Sequence, residues 1–84
     1  MEEEVYDVYM FVSHKYSDKM KEWLLETKWV GYEECTLEPL GNMYEDVRQY
    51  VEDYIMKNNL QIDRNEKTGK LNIKKKHSLH RKLL

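Results

Sequence analysis

The short length of the chain limits its fold more than any other feature, because 84 residues can enclose a single hydrophobic core and no second one. A domain of this size buries roughly 60% of its unfolded surface, so we expect a free energy of unfolding near 5 kcal/mol, roughly the low end of the usual range. Aromatic residues make up 12% of the sequence, more than disordered chains carry. The sequence therefore predicts one folded domain over residues 1–74, and a homodimer is one way for it to bury more surface.

Charge is distributed unevenly along the chain. Residues 1–63 carry six Lys and Arg against 15 Asp and Glu, a net charge of −9, whereas residues 64–84 carry eight against one, a net charge of +7. Such asymmetry indicates a tail that binds polyanions, or a tail that lies across its own acidic body and neutralises it. We predict a basic C-terminal tail over residues 75–84, either disordered or folded as a short docking helix, and both interpretations of its role stay open.

Hydrophobic periodicity in the first third of the chain predicts a strand followed by a helix. Apolar residues occupy both alternating faces of residues 5–13, as in a central strand, and leave Tyr9 and Phe11 on a face that two helices would not cover. Ser17 is a good N-cap residue. The helix predicted over residues 18–29 has an apolar stripe at helical spacing, formed by Met20, Trp23, Leu24 and Thr27.

The remaining segments predict a second strand, a second helix and a hairpin. Residues 32–37 alternate weakly and are predicted to stop pairing at Pro39. A helix is predicted to start near Asn42 and to bury the stripe Val47, Tyr50, Val51, Tyr54 and Ile55. Residues 60–63 and 71–74 flank a polar loop that ends in glycine, which is typical of a hairpin. The order β-α-β-α-β-β predicts a two-layer α+β fold, with a mixed four-stranded sheet and both helices on one face.

The residues that could carry catalysis or bind a metal are sparse. Cys35 stands among acidic residues, and such surroundings do not favour a nucleophilic cysteine. The histidines His14, His77 and His80 lack the local spacing of a four-ligand zinc site, and three glycines leave little scope for a phosphate-binding loop. We therefore expect no enzymatic activity, no metal and no cofactor. A single cysteine and the lack of a long apolar stretch favour a cytoplasmic protein without a membrane span.

Two binding functions stay open. The first is a small regulator or inhibitor that binds a larger protein, whose own surface would be basic, because tyrosine dominates interface hot spots and complementary charge speeds encounter. The predicted protein-binding residues are Tyr9, Tyr32, Tyr44, Glu34, Glu38, Glu45 and Asp46.

The second function is binding of nucleic acid through the basic tail. Such binding would neutralise phosphates and tolerate any base sequence, because no aromatic residue follows Tyr54 to stack on bases. The predicted nucleic-acid-binding residues are Lys70, Lys74, Lys75, Lys76, Arg81 and Lys82.

Overall fold

A computed structural model describes residues 6–76, which form five strands and two helices. In chain order these are β1 (Val8–Ser17), β2 (Glu22–Trp29), β3 (Thr36–Pro39), α1 (Leu40–Asp46), α2 (Arg48–Lys57), β4 (Leu60–Arg64) and β5 (Leu71–Lys75). One sheet has the strand order β1-β2-β3, the other is the hairpin β4-β5, and all described pairings are antiparallel. The α+β class is therefore confirmed, whereas the single mixed four-stranded sheet with a parallel crossover is wrong.

The largest correction concerns residues 18–29, which form a turn and a strand in place of the predicted helix. Ser17 does accept a hydrogen bond from the backbone N–H of Met20 (3.0 Å), but the chain then reverses through Lys21, whose φ is +57°. From Glu22 onward, alternate residues share one face of β2, and the buried pair Leu25 and Thr27 belongs to that face. Tryptophan and threonine favour strands, and this preference outweighs the helical spacing.

Strand β1 lies at an edge of its sheet and not at the centre. Its register against β2 shifts between Val8 and Met10 and again between Phe11 and Ser13, so each shift adds a residue to β1. As a result Val8 and Phe11 are both buried, while Tyr9 between them is exposed. The predicted uncovered face is therefore wrong for Phe11, which enters the core. Such irregularities also discourage pairing with another chain.

The segments predicted as the second strand and the second helix begin at other residues in the structure. Strand β3 extends through Pro39, which pairs with Leu24 at the end of an edge strand, where a missing N–H is tolerated. The helical segment begins at Leu40, before the predicted Asn42, and is divided at Val47 (φ −135°, ψ 55°). Of the predicted stripe, Val51 and Ile55 are buried, Val47 and Tyr54 are partly buried, and Tyr50 is exposed.

The core forms where the inner face of the three-stranded sheet meets the helices and the hairpin. The predicted hairpin is confirmed, and its apolar residues Leu60, Leu71 and Ile73 are buried. Within residues 6–76, every buried side-chain nitrogen or oxygen has a hydrogen-bond partner. The core residues are Val8, Phe11, Leu25, Leu40, Met43, Val51, Ile55, Leu60, Leu71 and Ile73.

The loop of the β4-β5 hairpin is organised by Asn65. Its Oδ1 accepts hydrogen bonds from the backbone N–H groups of Lys67 (2.8 Å) and Thr68 (3.1 Å). We expect Asn65→Ala to lower the free energy of unfolding by about 1 kcal/mol, because two amides lose their acceptor. Urea unfolding followed by tryptophan fluorescence measures this change. Lys67→Ala is the control, and an equal loss in both variants would contradict the role of Asn65.

Candidate functional site

The predicted protein-binding residues lie on separate surfaces. Tyr32, Glu34 and Glu38 line one open cleft. Tyr44 and Glu45 line a groove between α1 and the β4-β5 hairpin, and Asp46 is exposed at the end of α1. Tyr9 lies on β1 beside α2. The structure therefore brings three of the seven predicted residues together in one cleft and two others together in a separate groove.

Three aromatic rings form the apolar part of the open cleft. The ring centroids of Tyr6 and Trp29 are 6.1 Å apart with an interplanar angle of 71°, and those of Tyr6 and Tyr32 are 5.7 Å apart at 49°. The rings therefore stand at steep angles to one another and do not stack flat. The cleft has a volume of about 690 Å³ and is lined by Tyr6, Trp29, Tyr32, Glu33, Glu34, Thr36 and Glu38. We call it the aromatic-acidic cleft.

Local backbone geometry places the rings. Gly31 adopts a φ of +88°, which lets the chain turn so that the N–H of Tyr32 donates to the carbonyl of Trp29 (3.2 Å). Lys28 Nζ donates to the carbonyl of Tyr32 (3.0 Å) and holds the far side of the turn. Tyr6 comes to the same place because Val8 pairs with Trp29 across the β1-β2 ladder. The cleft therefore depends on a pairing between residues distant in sequence.

A chain of hydrogen bonds orients the polar side of the cleft. The indole Nε1–H of Trp29 donates to Thr36 Oγ1 (2.7 Å), and the Thr36 hydroxyl donates to Glu38 Oε2 (2.7 Å). Thr36 and Glu38 share a face of β3 because they are two residues apart. These hydrogen bonds fix the position of the carboxylate relative to the indole ring. A carboxylate can accept hydrogen bonds from further donors.

The aromatic-acidic cleft carries negative charge. Its seven lining residues include three carboxylates and no basic side chain. The nearby Lys28 is engaged with a backbone carbonyl. Aromatic ring faces are themselves negative because of the quadrupole, so rings and carboxylates both contribute negative electrostatic potential to the cleft. The arrangement suits an organic cation, which would contact ring faces and carboxylates together.

This cleft also contains four residues that the sequence did not predict as site residues: Tyr6, Trp29, Glu33 and Thr36. The sequence predicts Trp29 at the end of a helix, whereas in the structure it is the last residue of β2. The signal that would have found it is the alternation of Trp23, Leu25, Thr27 and Trp29 along the strand.

Tyr44 makes contacts within its own helical segment. The guanidinium carbon of Arg48 lies 4.4 Å from the centre of the Tyr44 ring, and the Tyr44 hydroxyl donates to Glu52 Oε2 (3.3 Å). Its ring is therefore already covered by a cation of the same chain. This arrangement stabilises the junction between α1 and α2.

The predicted nucleic-acid-binding residues are partly engaged in intramolecular contacts. Lys74 Nζ forms an ion pair with Asp63 Oδ2 (2.6 Å). Lys70 Nζ donates to the carbonyls of Met20 (3.4 Å) and Lys21 (3.1 Å), which joins the hairpin loop to the β1-β2 turn. Lys75 and Lys76 are exposed. Arg81, Lys82 and the predicted docking helix lie outside the described residues.

A second aromatic cluster connects β1 to α2. The Tyr54 hydroxyl shares a hydrogen bond with His14 Nδ1 (2.7 Å), and the Tyr54 ring packs edge-on against Phe11 with centroids 6.0 Å apart. Burial raises the pKa of Tyr54 above its ordinary value of 10.0, because desolvation disfavours the phenolate. The cluster contributes to the fold of the domain.

We expect Tyr54→Phe to lower the free energy of unfolding by about 1 kcal/mol at neutral pH, because the bond to His14 is lost. The raised pKa of Tyr54 means that its stabilising contribution is complete below the ordinary tyrosine pKa and is lost as the pH rises through the folded-state value. Wild-type stability should therefore fall more between about pH 9 and about pH 11 than that of Tyr54→Phe. Urea unfolding at both pH values measures the difference, and identical losses would contradict it.

No family model, curated protein or solved structure matches this chain. Neither helix of the described segment is long and apolar enough to cross a membrane. Among residues 6–76, His, Cys, Asp and Glu side chains do not gather in a group of three or more that could hold a metal ion.

Proposed function

We propose that this chain is a non-enzymatic protein-interaction module that binds a basic segment of a larger protein through the aromatic-acidic cleft. The observation that carries the proposal is the convergence of three aromatic rings and three carboxylates on one open cleft. Tyrosine and tryptophan give large contact area at interfaces, and carboxylates select a basic partner.

The charge and exposure of the surrounding surface support this proposal. Residues 1–63 have a net charge of −9, so this part of the chain would attract a basic partner. Tyr32 is 52% exposed although its ring contacts Tyr6, so much of its apolar area is accessible to a partner. The alternative function, binding of nucleic acid through basic residues, has less support, because Lys70 and Lys74 already have intramolecular partners.

Fluorescence anisotropy with a short labelled peptide rich in Arg and Lys tests the proposal. We expect the full chain to bind this peptide and not an acidic peptide of equal length. Tyr32→Ala should weaken binding about tenfold, as loss of an aromatic hot spot does. The matched control is Tyr50→Ala on α2, because Tyr50 is 49% exposed and lies outside the cleft.

Two results of this experiment would overturn the proposal. Equal losses in Tyr32→Ala and Tyr50→Ala would show that the cleft does not bind the peptide. Binding of a labelled DNA duplex without binding of the basic peptide, with an affinity that falls steeply with salt, would instead assign the working surface to the basic tail.

A further inference from the structure

We propose that the aromatic-acidic cleft accepts one arginine side chain of the partner, whose guanidinium stacks on a ring while its N–H groups pair with carboxylates. This inference rests on the proposed function, and it names the chemical group that the cleft recognises. The occupant is chosen by charge complementarity, because the lining residues contain three carboxylates and no cation.

An uncharged apolar occupant fits the cleft poorly. Glu33 and Glu34 have no hydrogen-bond or ion-pair partner within residues 6–76, and an apolar group seated against them would remove water from carboxylates without compensation. A cation compensates that loss directly. The same cation gains from the ring faces, and tryptophan is the most favourable ring for this interaction.

Geometry favours a guanidinium over an ammonium group. A guanidinium is planar and weakly hydrated, so it can stack on one ring and direct its edge donors to the side. In this cleft the hydrogen bonds through Thr36 place the indole of Trp29 and the carboxylate of Glu38 side by side, so an aromatic ring and an acceptor lie next to each other. A lysine ammonium is a compact, strongly hydrated charge and gains less from an aromatic ring beside a carboxylate.

The two indole N–H signals in a nitrogen–proton correlation spectrum of the full chain test this inference. The probes are N-acetyl-arginine methylamide, the corresponding lysine compound, and the uncharged citrulline compound. Trp23→Phe assigns the two signals. We expect the arginine probe to shift the Trp29 signal with a dissociation constant on the order of 1 mM, the lysine probe to bind at least about threefold more weakly, and the citrulline probe to give no saturable shift.

Several outcomes would overturn the inference. Equal affinity for the lysine probe, with Tyr32→Ala weakening both, would exclude guanidinium selectivity and leave the proposed function standing. A saturable shift with citrulline would exclude charge recognition. Absence of binding by any probe, together with no binding of the basic peptide by anisotropy, would remove both the inference and the proposed function.

The basic tail of the chain itself is the competing occupant, and a variant of the full chain distinguishes it. Arg81→Gln combined with Lys82→Gln removes two cations from residues 77–84 and leaves the cleft unchanged. We expect the arginine probe to bind this variant as it binds the wild type. Binding at least about tenfold tighter would overturn the inference, because it would show that the tail already fills the cleft.

Discussion

Replacing Leu25 with alanine is expected to lower the free energy of unfolding by about 3 to 4 kcal/mol. Leu25 is fully buried at the centre of β2, where it pairs with His14 on β1 and Glu38 on β3. Removal of its side chain leaves a cavity that the sheet on one side and the helices on the other cannot easily close. The loss would be most of the stability of a domain of roughly 5 kcal/mol.

Urea unfolding and a thermal melt measure this effect, and the melting temperature should fall by roughly 15 °C. Met20→Ala is the informative control, because Met20 is 47% exposed in the turn before β2. We expect this control to change the free energy of unfolding by less than about 1 kcal/mol. In a helix over residues 18–29, Met20 would belong to the buried stripe and Leu25 would not, so a larger loss in Met20→Ala would contradict the strand.

The parts of the fold that could be predicted from the sequence have strong local signals. The β4-β5 hairpin has two short apolar segments and a polar loop that ends in Gly69, whose φ is +77°. The helical stripe around Val51 and Ile55 likewise repeats over several turns. These signals act within a few residues, so tertiary contacts did not override them.

The parts that could not be predicted depend on contacts between distant residues. In β2, Trp23 and Thr27 satisfy a helical spacing as well as alternation, so periodicity alone does not decide between helix and strand. In β1, the register shifts on either side of Met10 and Phe11 alter which residues face inward. Such shifts follow from pairing with β2 and leave no clear mark in the sequence.

The residues of the aromatic-acidic cleft could likewise be predicted only in part from the sequence. Tyr32, Glu34 and Glu38 could be selected because they are close in sequence and have the chemistry of an interface. The alternation along β2 could place Trp29 on a strand, but only the pairing of Val8 with Trp29 brings Tyr6 beside it. Composition therefore indicated the kind of surface, and the strand pairing determines where it lies.

Reversing two charges in the cleft is expected to have the largest effect on binding. Glu33→Lys combined with Glu34→Lys changes the formal charge of the lining residues from −3 to +1, because two of its three carboxylates become ammonium groups. Both residues are exposed, so we expect the fold to be retained. Affinity for the peptide rich in Arg and Lys should fall at least about 100-fold, because like charges at an interface cost several kcal/mol.

The matched control reverses the adjacent acidic pair Glu45 and Asp46 on α1, which changes the total charge of the chain by the same amount. If the cleft binds the peptide, this control should weaken binding only about threefold, through slower encounter, and the difference should shrink at high salt. The reversed cleft should in turn bind the acidic peptide that the wild type rejects. Equal losses in the two double variants would mean that total charge, and not the arrangement of rings and carboxylates in the cleft, determines which partner the domain binds.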